Sequence, residues 1–247
     1  MEKQIKHILS YGGGINSSAL FFYILENKMP LDLVIFSDTG VESKQTYQTV
    51  NNMMLLCLDK KIPFQKVQSS YGNLYDHYLS KKAVMSIMKR DCTSKFKISP
   101  INNHLRLRFG KQTHFNMYIG IAWEEWHRMK PSRLKYITHI YPFCDNKIDR
   151  KGNIKILEQY NFKASKSGCV GCIYNKKAEW LIMLKENPKE FAKWKLLEMS
   201  NTRYPKITIN PQYALEVLER NFKEQKDLSV FLDTEKSCDA INGGCFL

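Results

Sequence analysis

Ser10-Tyr11-Gly12-Gly13-Gly14-Ile15-Asn16-Ser17-Ser18 is the stretch whose reading decides the fold. It follows the apolar run His7-Ile8-Leu9 and precedes Ala19-Leu20-Phe21-Phe22, so a short strand, a glycine turn and a helix are expected. Glycines there open the φ > 0 region and let the backbone approach a ligand closely. The helix that follows aims its unsatisfied N–H groups and positive dipole end into the turn, and Ser17 and Ser18 add hydroxyl donors. Such a turn suits a phosphate chain. No Gly-Lys-Ser/Thr follows it and the spacing is not G-x-G-x-x-G, so it matches neither of those phosphate-binding patterns. A bare glycine turn in an α/β protein is the alternative reading.

Outward from this turn the first part of the chain alternates strand and helix. Leu33–Ser37 reads as an apolar strand ending at Asp38-Thr39-Gly40, and Ser43 to Leu58 as a helix with Tyr47, Val50, Met54 and Cys57 at steps of three or four. Pro63–Val67 is a further strand candidate, Asn73–Met88 a helix and Asn116–Ile121 a fourth strand. This rhythm predicts a Rossmann-like α/β fold: a parallel sheet with helices on both faces. Ligands in such folds bind at the carboxyl ends of the strands, where Ser10–Gly14, Asp38–Gly40 and Gly120–Trp123 would converge on one pocket. The last third reads as helical. Asn187-Pro188 opens a helix to about Met199, and Asn210-Pro211 opens another to Lys226. The expected division is a nucleotide-binding domain over residues 1–165 and a smaller, cysteine-bearing helical region over 166–247.

Lys and Arg number 38 against 24 acids, a formal charge of +14. That balance suits a polyanion such as nucleic acid, or a nucleotide pocket with a basic rim; a lysine-rich solvated surface is the plainer explanation. Trp123, Trp126, His127, Arg128, Lys130, Arg133, Lys135 and Tyr136 interleave aromatic and basic side chains, a mix that fits backbone contact and base stacking. A core-facing aromatic helix followed by a basic loop fits almost as well. No apolar run approaches the roughly 20 residues of a membrane span, and the N-terminal residues carry no apolar signal segment, so no membrane partner and a cytoplasmic location are expected. Seven cysteines in such a chain point to metal or thiol chemistry rather than disulfides. Cys169-Val170-Gly171-Cys172 presents two thiolates to one metal or cluster, which alone is half a site; Cys144, Cys238 and Cys245 compete for the fourth place, and [4Fe–4S] and zinc both fit four thiolates. Cys57 belongs to an apolar helix stripe and reads as core. His104, His114 and His127 show no ligand spacing.

Five blocks in order carry a resemblance to a known family. The chain resembles the phosphoadenosine phosphosulfate (PAPS) reductase-like branch of the PP-loop ATP pyrophosphatases. Ser10–Ser18 matches the PP-loop, and Asp38-Thr39-Gly40-Val41-Glu42 with Thr46-Tyr47 matches a D-T-G-x-E…T-Y segment. Arg90-Asp91-Cys92-Thr93 with Lys97 and Pro100 matches R-x-C-T…K-x-x-P, Gly120–Glu125 with Arg128 matches G-I-x-x-x-E…R, and Lys166–Cys172 matches K-S-x-C-x-x-C. The usual loop reads S-G-G-x-D-S; here Gly12 stands at its first serine and Asn16 at its aspartate, which removes a carboxylate that would otherwise reach Mg²⁺.

The resemblance implies ATP with Mg²⁺ as the bound nucleotide. Ser10, Gly12, Gly13, Gly14, Asn16, Ser17, Ser18 and Gly120 would form the cradle, and Asp38 would sit near ribose or metal. Arg90 and Arg128 would neutralise phosphate charge. A helix N-cap role is the alternative for Asp38, and an i,i+4 pair with Glu124 the alternative for Arg128. The resemblance implies Cys92, whose block belongs to the match, as third ligand beside Cys169 and Cys172, and cluster-bearing sulfur transferases of this superfamily favour iron–sulfur there. Cys245, in a glycine-bearing tail with Cys238, reads as a mobile thiol or a ligand. Three functions follow. The first is an ATP pyrophosphatase that adenylylates a target, DNA or tRNA, for sulfur transfer, with a cysteine desulfurase as sulfur source. The second is a thiol-dependent reductase of a sulfonucleotide such as PAPS. The third is an accessory protein that binds nucleotide or nucleic acid with a decayed site.

Overall fold

The computed structural model describes residues 4–87 and 90–225. Five parallel strands, β1 (Ile5–Tyr11), β2 (Leu33–Asp38), β3 (Phe64–Gln68), β4 (His114–Ile119) and β5 (Ile137–Ile140), form one sheet in the order β3-β2-β1-β4-β5. Its helices are α1 (Ile15–Glu26), α2 (Lys44–Asp59), α3 (Leu74–Ser80), α4 (Asp91–Thr93), α5 (Ser99–Phe109), α6 (Pro142–Asp145), α7 (Arg150–Gln159), α8 (Lys177–Glu186), α9 (Pro188–Met199) and α10 (Leu215–Gln225). A π turn, Ser94–Ile98, joins α4 to α5, and a 3₁₀ helix spans Trp123–Arg128.

Strand periodicity explains the layers. Ile8, Leu33 and Ile35 enter one apolar cluster, with Ile101 and Leu105 of α5. Their neighbours Leu9, Val34 and Phe36 enter another, with Leu20 of α1, Val50 and Met53 of α2 and Leu157 of α7. Side chains alternate across a strand, so both faces of the sheet are covered, as a parallel sheet requires. A third cluster joins Tyr75 and Tyr78 of α3, Cys92 and Phe96 to Trp180 of α8, Trp194 of α9 and Leu218 of α10. The chain runs from β1 outward to β3, then returns to the other side of β1 as β4. The switch point between β1 and β4 opens a crevice at their carboxyl ends.

The structure departs from the sequence reading in places. The helix expected over Asn73–Met88 stops at Ser80: Asn73 caps it, Lys82 turns left-handed at φ 47°, and Ala83, Val84 and Met85 are buried in the third cluster in non-helical form. Asn210-Pro211 forms an Asx turn, with the Asn210 carboxamide accepting the Gln212 N–H at 2.9 Å. The helix begins at Leu215 instead, where buried Glu198 of α9 accepts the Leu215 N–H at 2.6 Å as well as that of Ile209 at 2.8 Å. Burial raises the Glu198 carboxyl pKa against the pull of these two donors. Residue Lys226, the expected end of that helix, lies outside the described residues. Among those described, no helix is long and apolar enough to cross a membrane.

Candidate functional site

The glycine turn closes on itself through Ser17. Its hydroxyl accepts the N–H groups of Gly12 at 3.2 Å and Gly14 at 3.3 Å, and donates to the Gly14 carbonyl at 3.2 Å. Gly14 is the N-cap of α1, so these donors converge where the free N–H groups of the helix point. Of the three glycines, Gly13 alone takes a positive φ, 72°, and a Cβ there would meet Thr46 Cγ2 at 2.9 Å. Ser18 does not add a donor to the turn. It is wholly buried and its hydroxyl pairs with the Tyr11 hydroxyl at 2.9 Å. Burial pushes the Tyr11 phenol pKa far up, so this pair stays neutral.

A cleft lies over the turn at the switch point, lined by Ser10, Tyr11, Gly12, Ser17, Lys97, Gly120 and Ser167, with apolar walls from Phe36 and Ile119. The strand-end blocks at Ser10 and Gly120 therefore converge as expected. Gly120 is required by close approach: a Cβ there would stand 2.9 Å from the Asn16 carbonyl carbon and the Ser17 nitrogen. Lys97 and Ser167 are cleft residues to which sequence reasoning assigned no role, although both lie in the matched blocks.

Asp38 is placed beside the cleft lining rather than in it. Its Oδ1 accepts the Gly40 N–H at 2.8 Å and the Tyr47 hydroxyl at 2.7 Å; its Oδ2 pairs with Lys66 at 2.8 Å and Gln68 at 3.3 Å. Burial opposes its ionisation, but Lys66, the Gly40 N–H and Tyr47 outweigh it and hold the carboxyl below the usual range. Lys66 and Gln68 tie β2 to β3, and Tyr47 ties it to α2. Glu42, four residues on, is the less fully engaged carboxylate. Its side chain is 1% exposed; Oε1 meets Thr39 Oγ1 at 2.9 Å, Lys97 Nζ at 3.4 Å and Cys169 Sγ at 3.5 Å, whereas Oε2 is buried with no hydrogen-bond partner among the described residues.

Asn16 is held on both sides. Its Oδ1 accepts Asn153 Nδ2 of α7 at 3.0 Å and its Nδ2 donates to Glu125 Oε2 at 3.1 Å. Glu125 also binds the Arg128 guanidinium. The alternative Glu124–Arg128 pair is replaced by this i,i+3 pair because the segment is a 3₁₀ helix of three residues per turn. Glu124 instead accepts the Arg150 N–H at 3.0 Å. Arg90 takes a left-handed φ of 46°, with its guanidinium 5.6 Å from the Tyr174 ring centroid.

The cysteines divide. Cys57 is wholly buried on α2, and burial pushes its thiol up to about 12. Cys144, one of the competing fourth ligands, lies apart from Cys92 and Cys169. It packs in the sheet core with Ile8, donates to the Ile121 carbonyl at 3.4 Å, and is pushed up to about 11 by burial first and then by nearby carboxylates. Cys92 and Cys169 share the third cluster. Cys169 reaches the site because residues 168–170 pair antiparallel with 41–43, Val170 N–H to Val41 at 2.8 Å and Ser43 N–H to Gly168 at 3.0 Å. Cys172 Sγ accepts the Tyr174 N–H at 3.5 Å. Among the described residues no group of three His, Cys, Asp or Glu side chains is placed to hold a metal ion. Cys92, Cys169 and Cys172 form no such group among the described residues. Cys238 and Cys245 lie outside the described residues.

No protein-family model and no curated protein matches the chain. Among solved structures it is similar to a PAPS reductase from Candida auris in its phosphate complex (10% identity over 67% of this chain and 76% of that one, TM-score 0.46). It is also similar to the U34-tRNA thiolase NcsA from Methanococcus maripaludis with its [4Fe–4S] cluster (13% identity, 89% and 82%, TM-score 0.46). A third is the NH₃-dependent NAD synthetase from Campylobacter jejuni (13% identity, 80% and 84%, TM-score 0.40).

Proposed function

We propose that the chain is a PP-loop ATP pyrophosphatase that adenylylates a target for sulfur transfer, with nucleic acid as the target. The observation that carries this reading is the cleft at the switch point, where the Ser17-braced glycine turn, the N-terminus of α1 and Lys97 face one space. The N–H groups of the first turn of α1, above the Ser17-braced glycine turn, would take the β- and γ-phosphates of ATP, leaving the α-phosphate toward Lys97 and Gly120. A target oxygen attacks the α-phosphorus, the bond to the bridging oxygen breaks, and pyrophosphate leaves with its charge held by the turn. Positioning and charge stabilisation supply most of the rate in such a step. Mg²⁺, when bound, neutralises phosphate charge. It needs only one or two protein carboxylates beside the phosphates; Glu42, whose Oε1 pairs with the cleft residue Lys97 and whose buried Oε2 has no hydrogen-bond partner among the described residues, fits that need better than the fully engaged Asp38.

A cysteine desulfurase is the proposed sulfur source. Cys92, Cys169 and Cys172 with Cys238 or Cys245 would hold a [4Fe–4S] cluster. Anaerobically purified protein should then carry iron, and Cys169→Ser should strip it. A second reading, nucleotide binding without turnover, is favoured by the committed Asn16 carboxamide. Pyrophosphate release from ATP supports the first reading, and binding of ATP with no release supports the second. Release of sulfite from PAPS with thioredoxin would instead make the protein a sulfonucleotide reductase and overturn both.

A further inference from the structure

Trp123 is 39% exposed and Trp126 59% exposed, a costly placement for large aromatic side chains that usually bury most of their surface. Both stand on the 3₁₀ helix that follows β4, beginning three residues after Gly120 of the cleft lining. That helix is tied to the glycine turn through Glu125 and Asn16, so the indoles keep a fixed relation to the phosphate cradle.

The topology extends this feature. β4 and β5 are parallel and paired, Phe115 opposite Ile137, so the connection between them must return from the carboxyl end of the sheet to its amino end. Here a chain containing only that short 3₁₀ helix makes the return, beside the edge strand β5. It carries exposed Lys130, Arg133 and Lys135 along the way. Its backbone is pinned at Lys130, whose N–H donates to the Tyr141 hydroxyl at 3.1 Å and whose carbonyl accepts from that hydroxyl at 2.7 Å. At the far end, Lys135 and Tyr136 line a second, basic hollow with Arg106, Lys111 and His114, where the Arg106 guanidinium stacks 3.6 Å from the Tyr136 ring centroid. The acids of the 3₁₀ helix are spoken for: Glu124 by the Arg150 N–H and Glu125 by Arg128 and Asn16.

We infer that this edge is a single-stranded nucleic-acid track, resting on the reading of nucleic acid as the target. Trp123 and Trp126 stack unpaired bases beside the cleft, and Lys130, Arg133 and Lys135 follow the phosphates toward the Arg106 hollow. Exposed aromatic faces followed by a line of cations are the chemistry that holds a strand with its bases unstacked from a partner, and the chain's +14 charge supports the approach of such a polyanion.

The test is fluorescence anisotropy of the full chain with a labelled single strand of about 12 nucleotides, made as DNA and as RNA, and with the corresponding duplex, a length within known single-strand footprints. The single strand should bind more tightly than the duplex, and Trp126→Ala should weaken it about tenfold, the loss expected for one stacked base. Lys130→Glu with Arg133→Glu should weaken binding and flatten its salt dependence by about two phosphate contacts. Thermal melting verifies that each variant is folded. Equal affinity for parent and Trp126→Ala, or preference for the duplex, overturns the track. ATP binding is measured separately by equilibrium dialysis. If ATP fails to bind while the Trp126 dependence holds, the pyrophosphatase reading fails and the track stands.

Discussion

Asn16→Asp restores the aspartate of the resembled loop, and the structure says it should harm the protein. Asn16 Nδ2 lies 3.1 Å from Glu125 Oε2, and Asn16 is 9% exposed. The substitution exchanges that donor for a carboxylate oxygen. Two unit charges at the 3.1 Å separation repel by about 5 kcal/mol at an effective dielectric of about 20. The Arg128 pairing and the 28% exposure of Glu125 remove much of this, while the lost hydrogen bond adds about 1 kcal/mol. A net loss of roughly 2–4 kcal/mol at pH 7 is expected, a fall in melting temperature of roughly 5–15 °C. A like-charge neighbour raises the pKa of the introduced carboxyl, so the folded variant binds more protons than the unfolded chain near neutrality. Its stability therefore falls as pH rises from the ordinary carboxylate range through the raised value, and the repulsive part of its deficit vanishes below about pH 4. Melting curves of parent, Asn16→Asp and the double variant Asn16→Asp/Glu125→Gln across pH 4–8 read this directly, and the double variant should regain most of the loss at pH 7. A single variant as stable as the parent at pH 7, with a flat pH profile, would refute the placement of the Asn16 amide against Glu125.

Gly171 lies against the indole of wholly buried Trp194, where an added Cβ would fall 2.1 Å from the ring, so Gly171→Ala should cost roughly 2–4 kcal/mol in urea unfolding. Lys97→Ala removes the cation from the cleft and should weaken ATP binding about tenfold by titration calorimetry, a loss of about 1.4 kcal/mol. Asp38 carries a lowered pKa, so its bonds stabilise the fold above the ordinary carboxylate pKa and that stability is lost as pH falls through its own. Asp38→Asn should cost about 2 kcal/mol at pH 7 in the same unfolding assay and less at pH 3.

The local chemistry of the main elements was legible in the chain. The alternation of apolar residues, the Ser43, Asn73 and Asn187 caps and the Gly12–Gly14 turn set the first four strands and the starts of α1, α2, α3 and α9 within a residue or two, because each is decided by neighbours in sequence, whereas β5, α5, α7 and α8 were not read from the chain. The ends that failed were decided elsewhere. The α3 helix stops at Ser80 because Ala83–Met85 are drawn into a core built with α8 and α9, and α10 starts at Leu215 because a carboxylate from α9 supplies its cap.

The site divides in the same way. By itself the sequence determined that a phosphate-sized turn follows the first strand, and which blocks belong with it, since residue type and spacing fix backbone freedom and donors. Only the tertiary structure decided which of those residues face the cleft. Ser18 turns to Tyr11, Asp38 is consumed by Lys66 and Tyr47, and Cys144 belongs to the sheet core, whereas Lys97 and Ser167 arrive from distant segments. The reason is physical. A polar side chain is spent on whichever donor or acceptor packing brings within about 3 Å, and those neighbours come from strand order and core packing, which spacing along the chain does not encode.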